Sequence, residues 1–391
     1  MREIIIAGTG MTRFGKTPGL GLRKLATASA GEALKDAGLE VSDIDRIYFG
    51  NAAGATVTRQ DMVRGQVAFR HDPLNAVPVI NVENACASGS SAVMLGIEAI
   101  RAGSADVVLA LGAEQLSHEI RERSVQALRG SMDIAEIGEE DAATSAPGQS
   151  ALMECYAEEG RDYMAEYGAT AEDFARVAVK NRRHGELNPR AHFQTSQSME
   201  DVLGARAIAP PLTLSMCSPI TDGSAALVLC SAEFAKARGI AGIRVLASHI
   251  APGRGQGSSP LGDATRLAYE TAGLGPDDMQ LVELHDAAAP AELIQYEDLQ
   301  LCGPGEGIRL IRDGATQLGA RCPVNLSGGL MSRGHPLGAT GCAQLFEICE
   351  HLRDRAGGRQ VEGARVGLAA NAGGWIGGTY AVGVSTILAA G

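Results

Sequence analysis

The chain has 391 residues, 45% hydrophobic and 20% charged, which suits a globular protein of two or three domains and excludes extended disorder. A formal net charge of −12 argues against a surface that binds nucleic acid or anionic membrane, and leaves room only for a local basic pocket. Aromatic residues make up 4% while 50 residues are glycine, so the expected core is built from small aliphatic side chains.

The first stretch, "MREIIIAGTG", is strand-forming and has neither the apolar core nor the cleavage site of a secretory signal, so a cytoplasmic location is expected. No apolar run approaches the length of a membrane span. From Ala33, "ALKDAGLEVSDIDRIYFG" reads as a helix stopped at Gly38, an acidic turn and a β-branched strand. From Pro78, "PVINVENACASGSSAVMLGIEAIRAG" reads as a buried strand, a turn of small residues and an amphipathic helix with Val93, Ile97 and Ile100 on one face. "ADVVLALGAE" supplies a further strand. Residues 117–209 are rich in charge and helical pattern, and "DGSAALVLC" closes the first half before a boundary near "AKARGIAGIR".

The second half repeats this order. "AYETAGLGPDDMQLVELHDAAA" from Ala268 matches the Ala33 stretch, and "PVNLSGGLMSRGHPLGATGCAQLFEICEHL" from Pro323 matches the Pro78 stretch. "ARVGLAANAGG" and "GGTYAVGVS" then pair with the two remaining strands. Alternating strands and helices predict an α/β fold of two duplicated βαβαβαββ halves. The expected division is 1–116 and 210–240 for the first half, 241–391 for the second, and 117–209 as an inserted loop or lid domain.

Eight cysteines are scattered without CxxC or zinc-site spacing, so reduced thiols and no metal are expected. Neither "GRGQGSS" nor "GPGEGIR" matches a nucleotide-binding glycine pattern, and the "NLS" sequon at Asn325 reads as chance. Cys86 stands out because its neighbours are too small to cover it. A thiol at a helix N-terminus feels the dipole, and free N–H groups there lower its pKa and can hold an oxyanion. His335, pinned between Gly334 and Pro336, is the better placed base candidate. His285 and Asp286 end another strand, where adjacent residues face opposite ways, one toward the site and one anchoring the loop. Gly373 and Gly374 end the strand "ARVGLAANAGG", where backbone N–H groups can face a ligand.

Four strand ends from two mirrored halves thus carry Cys86, His285, His335 and the Asn371–Gly374 loop. In this combination "ACASG", "HDAA" and "GGLMSRGHPLGATG" resemble the thiolase family, most closely the sterol-carrier-protein type and its bacterial lipid-transfer relatives, over nearly the full length. The resemblance implies a five-layer αβαβα fold and an acyl-CoA C-acyltransferase that cleaves or forms a 3-oxoacyl-CoA. In that role Cys86 is the acylated nucleophile and His335 the base that activates it. The N–H groups of Cys86 and Gly373 make the oxyanion hole, and His285 polarises the second thioester oxygen. No cofactor is implied, only coenzyme A and its thioesters as substrate and product. The expected partners are a second copy, as homodimer or tetramer, and a small zinc-ribbon/OB-fold subunit of the sort that accompanies relatives acting on bulky acyl-CoAs.

The chain departs from the family pattern where a second cysteine is usual. Asn371 stands in "NAG" and Ala287 in "HDAA", and neither side chain exchanges protons near neutral pH. The reading taken is that His285 acts as acid/base at the α-carbon, since imidazole titrates in that range. The alternatives are a thiolase-like aldolase or lyase, acyl transfer to another nucleophile, and a non-catalytic acyl-CoA or lipid-binding subunit. Asn371, Ala287 and Trp375 are expected to line the substrate pocket, with Ala288, Ala289 and Gly374 adding room. Trp375 packing on the sheet is the competing reading. Lys180, Arg182 and Arg183 form either a solvated helix face or a contact for coenzyme A phosphates.

Overall fold

Nearly every hydrophobic run singled out above becomes a strand, and the strands assemble in mirrored order. A computed structural model describes residues 2–137 and 150–391; Met1 and residues 138–149, part of the expected inserted segment, lie outside the described residues. The first half comprises β1 (Ile4–Met11), α1 (Gly21–Ala37), β2 (Arg46–Gly50), β3 (Val79–Val82), α2 (Ser88–Arg101), β4 (Val107–Glu114) and β5 (Gly223–Ser231). Between β4 and β5 run two long helices, α3 (Ala151–Tyr167) and α4 (Ala171–Glu186). The second half comprises β6 (Ile243–Pro252), α5 (Pro260–Ala272), β7 (Leu281–Glu283), α6 (Ala289–Asp298), α7 (Thr340–Leu352), β8 (Val366–Ile376) and β9 (Thr379–Ala389).

The nine strands form one sheet in the order β3-β2-β4-β5-β1-β6-β9-β8-β7. Its two halves join where Ile4–Ile6 of β1 pair antiparallel with Ile243–Val245 of β6. Helices α2 and α7 lie side by side in the middle and touch strands of both halves. Val93, Ile97 and Ile100 from α2 meet Leu345 and Ile348 from α7 in one core with Ile4, Ile6 and Leu388. Helix α1 covers the outer face of the first half against Val107, Leu109 and Val228, and α5 covers the second against Ala247 and Ile387. The result is the expected five-layer αβαβα stack. Among the described residues no helix is long and apolar enough to cross a membrane.

One expected strand does not form. The run at Pro323 makes only a single bridge, Val324 to Val282. Asn325 takes a left-handed φ of 57° and replaces the ladder with its side chain, whose Oδ1 accepts the N–H of Leu284 at 2.9 Å. An extended strand cannot pass through that conformation.

The segment between β4 and β5 is fastened to the second half by buried polar links. Lys180 pairs with Glu292 and donates to the carbonyl of Val324 at 3.1 Å. Asn181 Nδ2 donates to Asp286 Oδ2 at 2.8 Å, and the N–H of His192 to the carbonyl of Arg333 at 3.0 Å. Both readings offered for Lys180 are therefore corrected: it is 3% exposed, and neither solvated nor available to a phosphate.

Candidate active site

The three parallel strands β2, β3 and β4 end level with one another, with Gly50 in register with both Val82 and Gly112. The chain leaves β3 at this edge and turns at once. Ala85 adopts φ 47°, its N–H donates to Glu83 Oε1 at 2.6 Å, and Ser88 Oγ donates to its carbonyl at 2.7 Å. A short 3-10 turn, Ala85–Ala87, carries Cys86 and runs straight into α2. In the second half His335 precedes the matching turn, Leu337–Ala339, which runs into α7. Its N–H donates to Thr221 Oγ1 at 2.8 Å.

Glycines let these two helix starts abut. A Cβ on Gly89 would sit 2.5 Å from the carbonyl oxygen of Gly338, and one on Gly341 would sit 2.5 Å from the backbone nitrogen of Ser90. Buried Glu114 ties the junction together, accepting the N–H of Ala52 at 3.0 Å from the first half and that of Gly338 at 3.0 Å from the second. Residues 249 positions apart thereby meet. Ligating atoms of Cys86, His285 and His335 lie within 4.8 Å of one another, and the two imidazoles stand edge to face with centroids 5.1 Å apart.

All three groups are held in their neutral forms. Burial takes His285 down to about 3, with Arg333 adding to the effect, and lowers His335 well below its ordinary value, with His285 and Arg333 contributing. Thr340 Oγ1 donates to the carbonyl of Pro336 at 3.1 Å, so at 2.7 Å from His335 it accepts from Nδ1–H. That leaves Nε2 of His335 with its lone pair, the form a base needs.

Cys86 departs from expectation. Burial pushes its thiol up to about 12, with Glu114 and Glu83 pushing the same way. The N–H groups of Cys86 and Gly374 pull it down and are outweighed, so the helix start does not make a thiolate in the free enzyme. Gly374, the second of these, takes a φ of 68°. Gly373 stays in register with Val382 and packs beneath the turn, where a Cβ would lie 2.2 Å from the carbonyl of Asn84. The expectation that His285 titrates near neutrality is overturned as well, because a ring buried this completely loses its proton far below pH 7.

A cavity of about 660 Å³ opens over Cys86 and His335. Ala287 lines it as expected; Asn371 and Trp375 do not. Asn371 lies behind His285, with Nδ2 3.0 Å from His285 Nδ1 and Oδ1 2.8 Å from Ser90 Oγ. Trp375 packs between Tyr156 and Tyr380, at ring distances of 5.6 and 5.3 Å. Asp286 faces away from the cavity and accepts the N–H of Leu330 at 2.7 Å. Arg182 reaches the cavity wall and stacks on Phe193 at 3.5 Å, whereas Arg183 is exposed.

Several contributors carried no distinguishing signal in the sequence. Tyr156 lines the cavity from a helix whose pattern reads only as amphipathic. Thr340 and Thr221 look like ordinary turn residues. Cys217 lines the same cavity but is pushed up to about 12 by burial and donates to the carbonyl of Thr213 at 3.4 Å.

With this geometry in place, two family models match the chain: the thiolase N-terminal domain over residues 4–197, and the thiolase C-terminal domain-like family over 247–388. An acetyl-CoA acetyltransferase of Methanothermobacter thermautotrophicus is 37% identical over 98% of this chain and 99% of its own. The benzoylsuccinyl-CoA thiolase subunit BbsB of Thauera aromatica is 38% identical over 92% of each chain. Sterol carrier protein 2 of Bos taurus is 36% identical over 97% of this chain and 71% of its own. Among solved structures, an Ltp2-ChsH2(DUF35) aldolase superposes with a TM-score of 0.79 at 28% identity, over 99% of this chain and 98% of that one.

Proposed function

This chain belongs to the thiolase family, and from that premise we propose that it moves acyl groups between coenzyme A thioesters through an acyl thioester on Cys86. The observation that carries the reading is the meeting of one sulfur and two neutral imidazoles, with Cys86 and His335 lining an open cavity. His335 Nε2 takes the thiol proton as Sγ attacks the carbonyl carbon, which removes the need for a standing thiolate. The N–H groups of Cys86 and of the Gly373–Gly374 turn supply the donors for the oxygen that becomes negative. Lining residues such as Leu116, Leu128, Met153 and Ile208 suit an apolar acyl chain. Lys16, Arg121 and Arg206, which line the same cavity, suit coenzyme A phosphates, with the acyl-CoA as both substrate and product and no resident cofactor invoked.

Incubation with acetyl-CoA and with longer or aromatic acyl-CoAs, followed by peptide mass spectrometry, tests this reading. An acyl adduct on Cys86, absent in Cys86→Ala, is the expected result, together with a loss of transfer of about 10⁴-fold or more in that variant. No adduct with any acyl-CoA overturns it. A second reading, carbon–carbon lyase chemistry without acyl transfer, is favoured by the aldolase of similar structure and by the protonated state of Cys86. It requires ketone or aldehyde release from a 3-hydroxyacyl-CoA with no adduct formed.

The partner expectation keeps its place here. The DUF35 component in the name of that aldolase, and the word subunit in the name of the Thauera relative, support assembly with a small DUF35 protein. The open edge at β3, with Ile80 exposed, suits a second copy of the chain.

A further inference from the structure

We propose that Asn371 is a positioning residue that locks His285 as an Nε2–H donor, which leaves His335 as the site's one proton carrier. The chain of contacts begins at buried Ser90, whose hydroxyl lies 2.8 Å from Asn371 Oδ1 and 2.9 Å from the carbonyl of Ala87. With the hydroxyl proton given to Oδ1 the amide nitrogen faces His285, and Asn371 Nδ2 lies 3.0 Å from Nδ1 of the ring. An amide nitrogen only donates, so Nδ1 must accept, and a neutral imidazole that accepts at Nδ1 carries its proton on Nε2. A second proton would set two N–H groups against each other in a buried site. His285 is therefore unable to take a proton at either nitrogen.

Around His335 the logic is reversed. Thr340 receives its Nδ1–H, and the lone pair on Nε2 is free. The two rings, 5.1 Å apart, hold opposite tautomers: one donates to the substrate and the other exchanges protons with it. The main-chain bonds of His285 hold the ring's base in place, its N–H to Gln295 Oε1 at 2.9 Å and its carbonyl to Gln295 Nε2 at 2.8 Å. The cavity's other thiol, Cys217, is turned to the carbonyl of Thr213 and supplies no second carrier.

One carrier is sufficient in the cleavage direction. As Cys86 Sγ bonds to C3 of a 3-oxoacyl-CoA, its proton passes to His335 Nε2. The C2–C3 bond breaks, and its electron pair becomes the enolate of the departing thioester, whose oxygen accepts from Nε2–H of His285. His335 then delivers its proton to C2. In the second half the thiol proton of coenzyme A passes through His335 to Cys86 Sγ, as the sulfur of coenzyme A takes the acyl carbon. Every proton that leaves a sulfur is accounted for without a base on His285.

The tautomer claim stands apart from the acyl-transfer reading on which the proton path rests, and the test keeps them separate. Nitrogen NMR of the ¹⁵N-histidine-labelled free enzyme, assigned with His285→Gln and His335→Gln, reads both rings without substrate. The expected spectrum has a protonated Nε2 on His285 and a protonated Nδ1 on His335. In Asn371→Asp the carboxylate accepts, so the His285 proton is expected to move to Nδ1 while Cys86 still alkylates. A His285 ring protonated at Nδ1 in the parent enzyme, or unmoved by Asn371→Asp, overturns the proposal. Deuterium exchange at C2 of acetyl-CoA tests the carrier. It should fall to background in His335→Gln, and by about 10²–10³-fold in Asn371→Asp, the usual effect of losing one oxyanion donor. Undiminished exchange in His335→Gln overturns the one-carrier clause. An unacylated Cys86 with the expected NMR spectrum would sink the acyl-transfer reading alone.

Discussion

Both halves of the molecule carry the chain through a 3-10 turn into a central helix, Ala85–Ala87 into Ser88–Arg101 in the first and Leu337–Ala339 into Thr340–Leu352 in the second. Cys86 occupies the middle of the first turn, and Gly338 holds that place in the second. The histidine of the second half stands two residues ahead of its turn. The same geometry thus yields a nucleophile on one side and a base on the other, and the contrast shows what the glycine is for. At Gly338 a side chain would meet backbone, with Asn51 Cα and the carbonyl oxygen of Gly50 both 2.9 Å from an added Cβ. The second turn gives up a side chain so that its backbone can pack directly on the end of β2.

A large effect on turnover outside the reacting groups should therefore come from Gly338→Ala. Backbone cannot step aside cheaply, so a stability loss of about 1–3 kcal/mol is expected in urea melts. Turnover should drop by about 10²-fold, because displacement near 1 Å spoils the alignment of base and nucleophile. Gly31→Ala is the control. That glycine lies inside α1 with nothing within 4 Å of an added Cβ, and the change should stabilise by about 0.5–1 kcal/mol with turnover unaltered. Equal behaviour of the two variants would break the account of the paired turns.

Next in size is the hydroxyl that sets the base. Thr340→Val keeps the shape of the side chain but loses the acceptor for His335 Nδ1–H, and Thr340→Ser keeps the acceptor. The iodoacetamide rate at Cys86 is expected to fall about tenfold in the valine variant and to survive in the serine variant, given the usual 10²–10⁴-fold value of a well-placed base. In His335→Gln, which lacks that base, the residual rate should rise about tenfold per pH unit from 7 to 9 without levelling, since burial has pushed the thiol up to about 12. A plateau below pH 8 would mean that the helix start outweighs desolvation after all.

These contrasts also mark what could be read from the residues alone. The duplication, the strands and the convergence of Cys86, His285 and His335 follow from local pattern, because small residues at strand ends serve few other purposes. Electrostatic state does not follow from pattern. The N–H groups at the Cys86 turn are legible in sequence, but the burial that outweighs them is not, because Cys86 packs with Ala53, Val57, Leu116, Ala127 and Leu337 from distant parts of the chain. Gly373 and Gly374 are a case of the same kind, since two adjacent glycines look alike in sequence until one of them takes a positive φ. Asn371 looked like a pocket residue, and only its 3.0 Å approach to His285 shows that it works from behind.

The smallest effect tests whether the comparison of two halves is complete, because Tyr156 belongs to neither. It comes from α3, lines the cavity, and packs against Trp375 and Tyr380 at 5.6 and 6.2 Å. Burial first, then Cys86, raises its hydroxyl well above the ordinary phenol range, so it holds its proton throughout the working pH range. Tyr156→Phe keeps the ring and every apolar contact, and is expected to change stability by less than about 1 kcal/mol and turnover by no more than about tenfold. Tyr156→Ala should cost about 3–5 kcal/mol by opening a hole beside Trp375. If the phenylalanine variant lost activity a thousandfold with its stability intact, the proton path would have to include this hydroxyl, and the chemistry would belong to three regions of the chain instead of two.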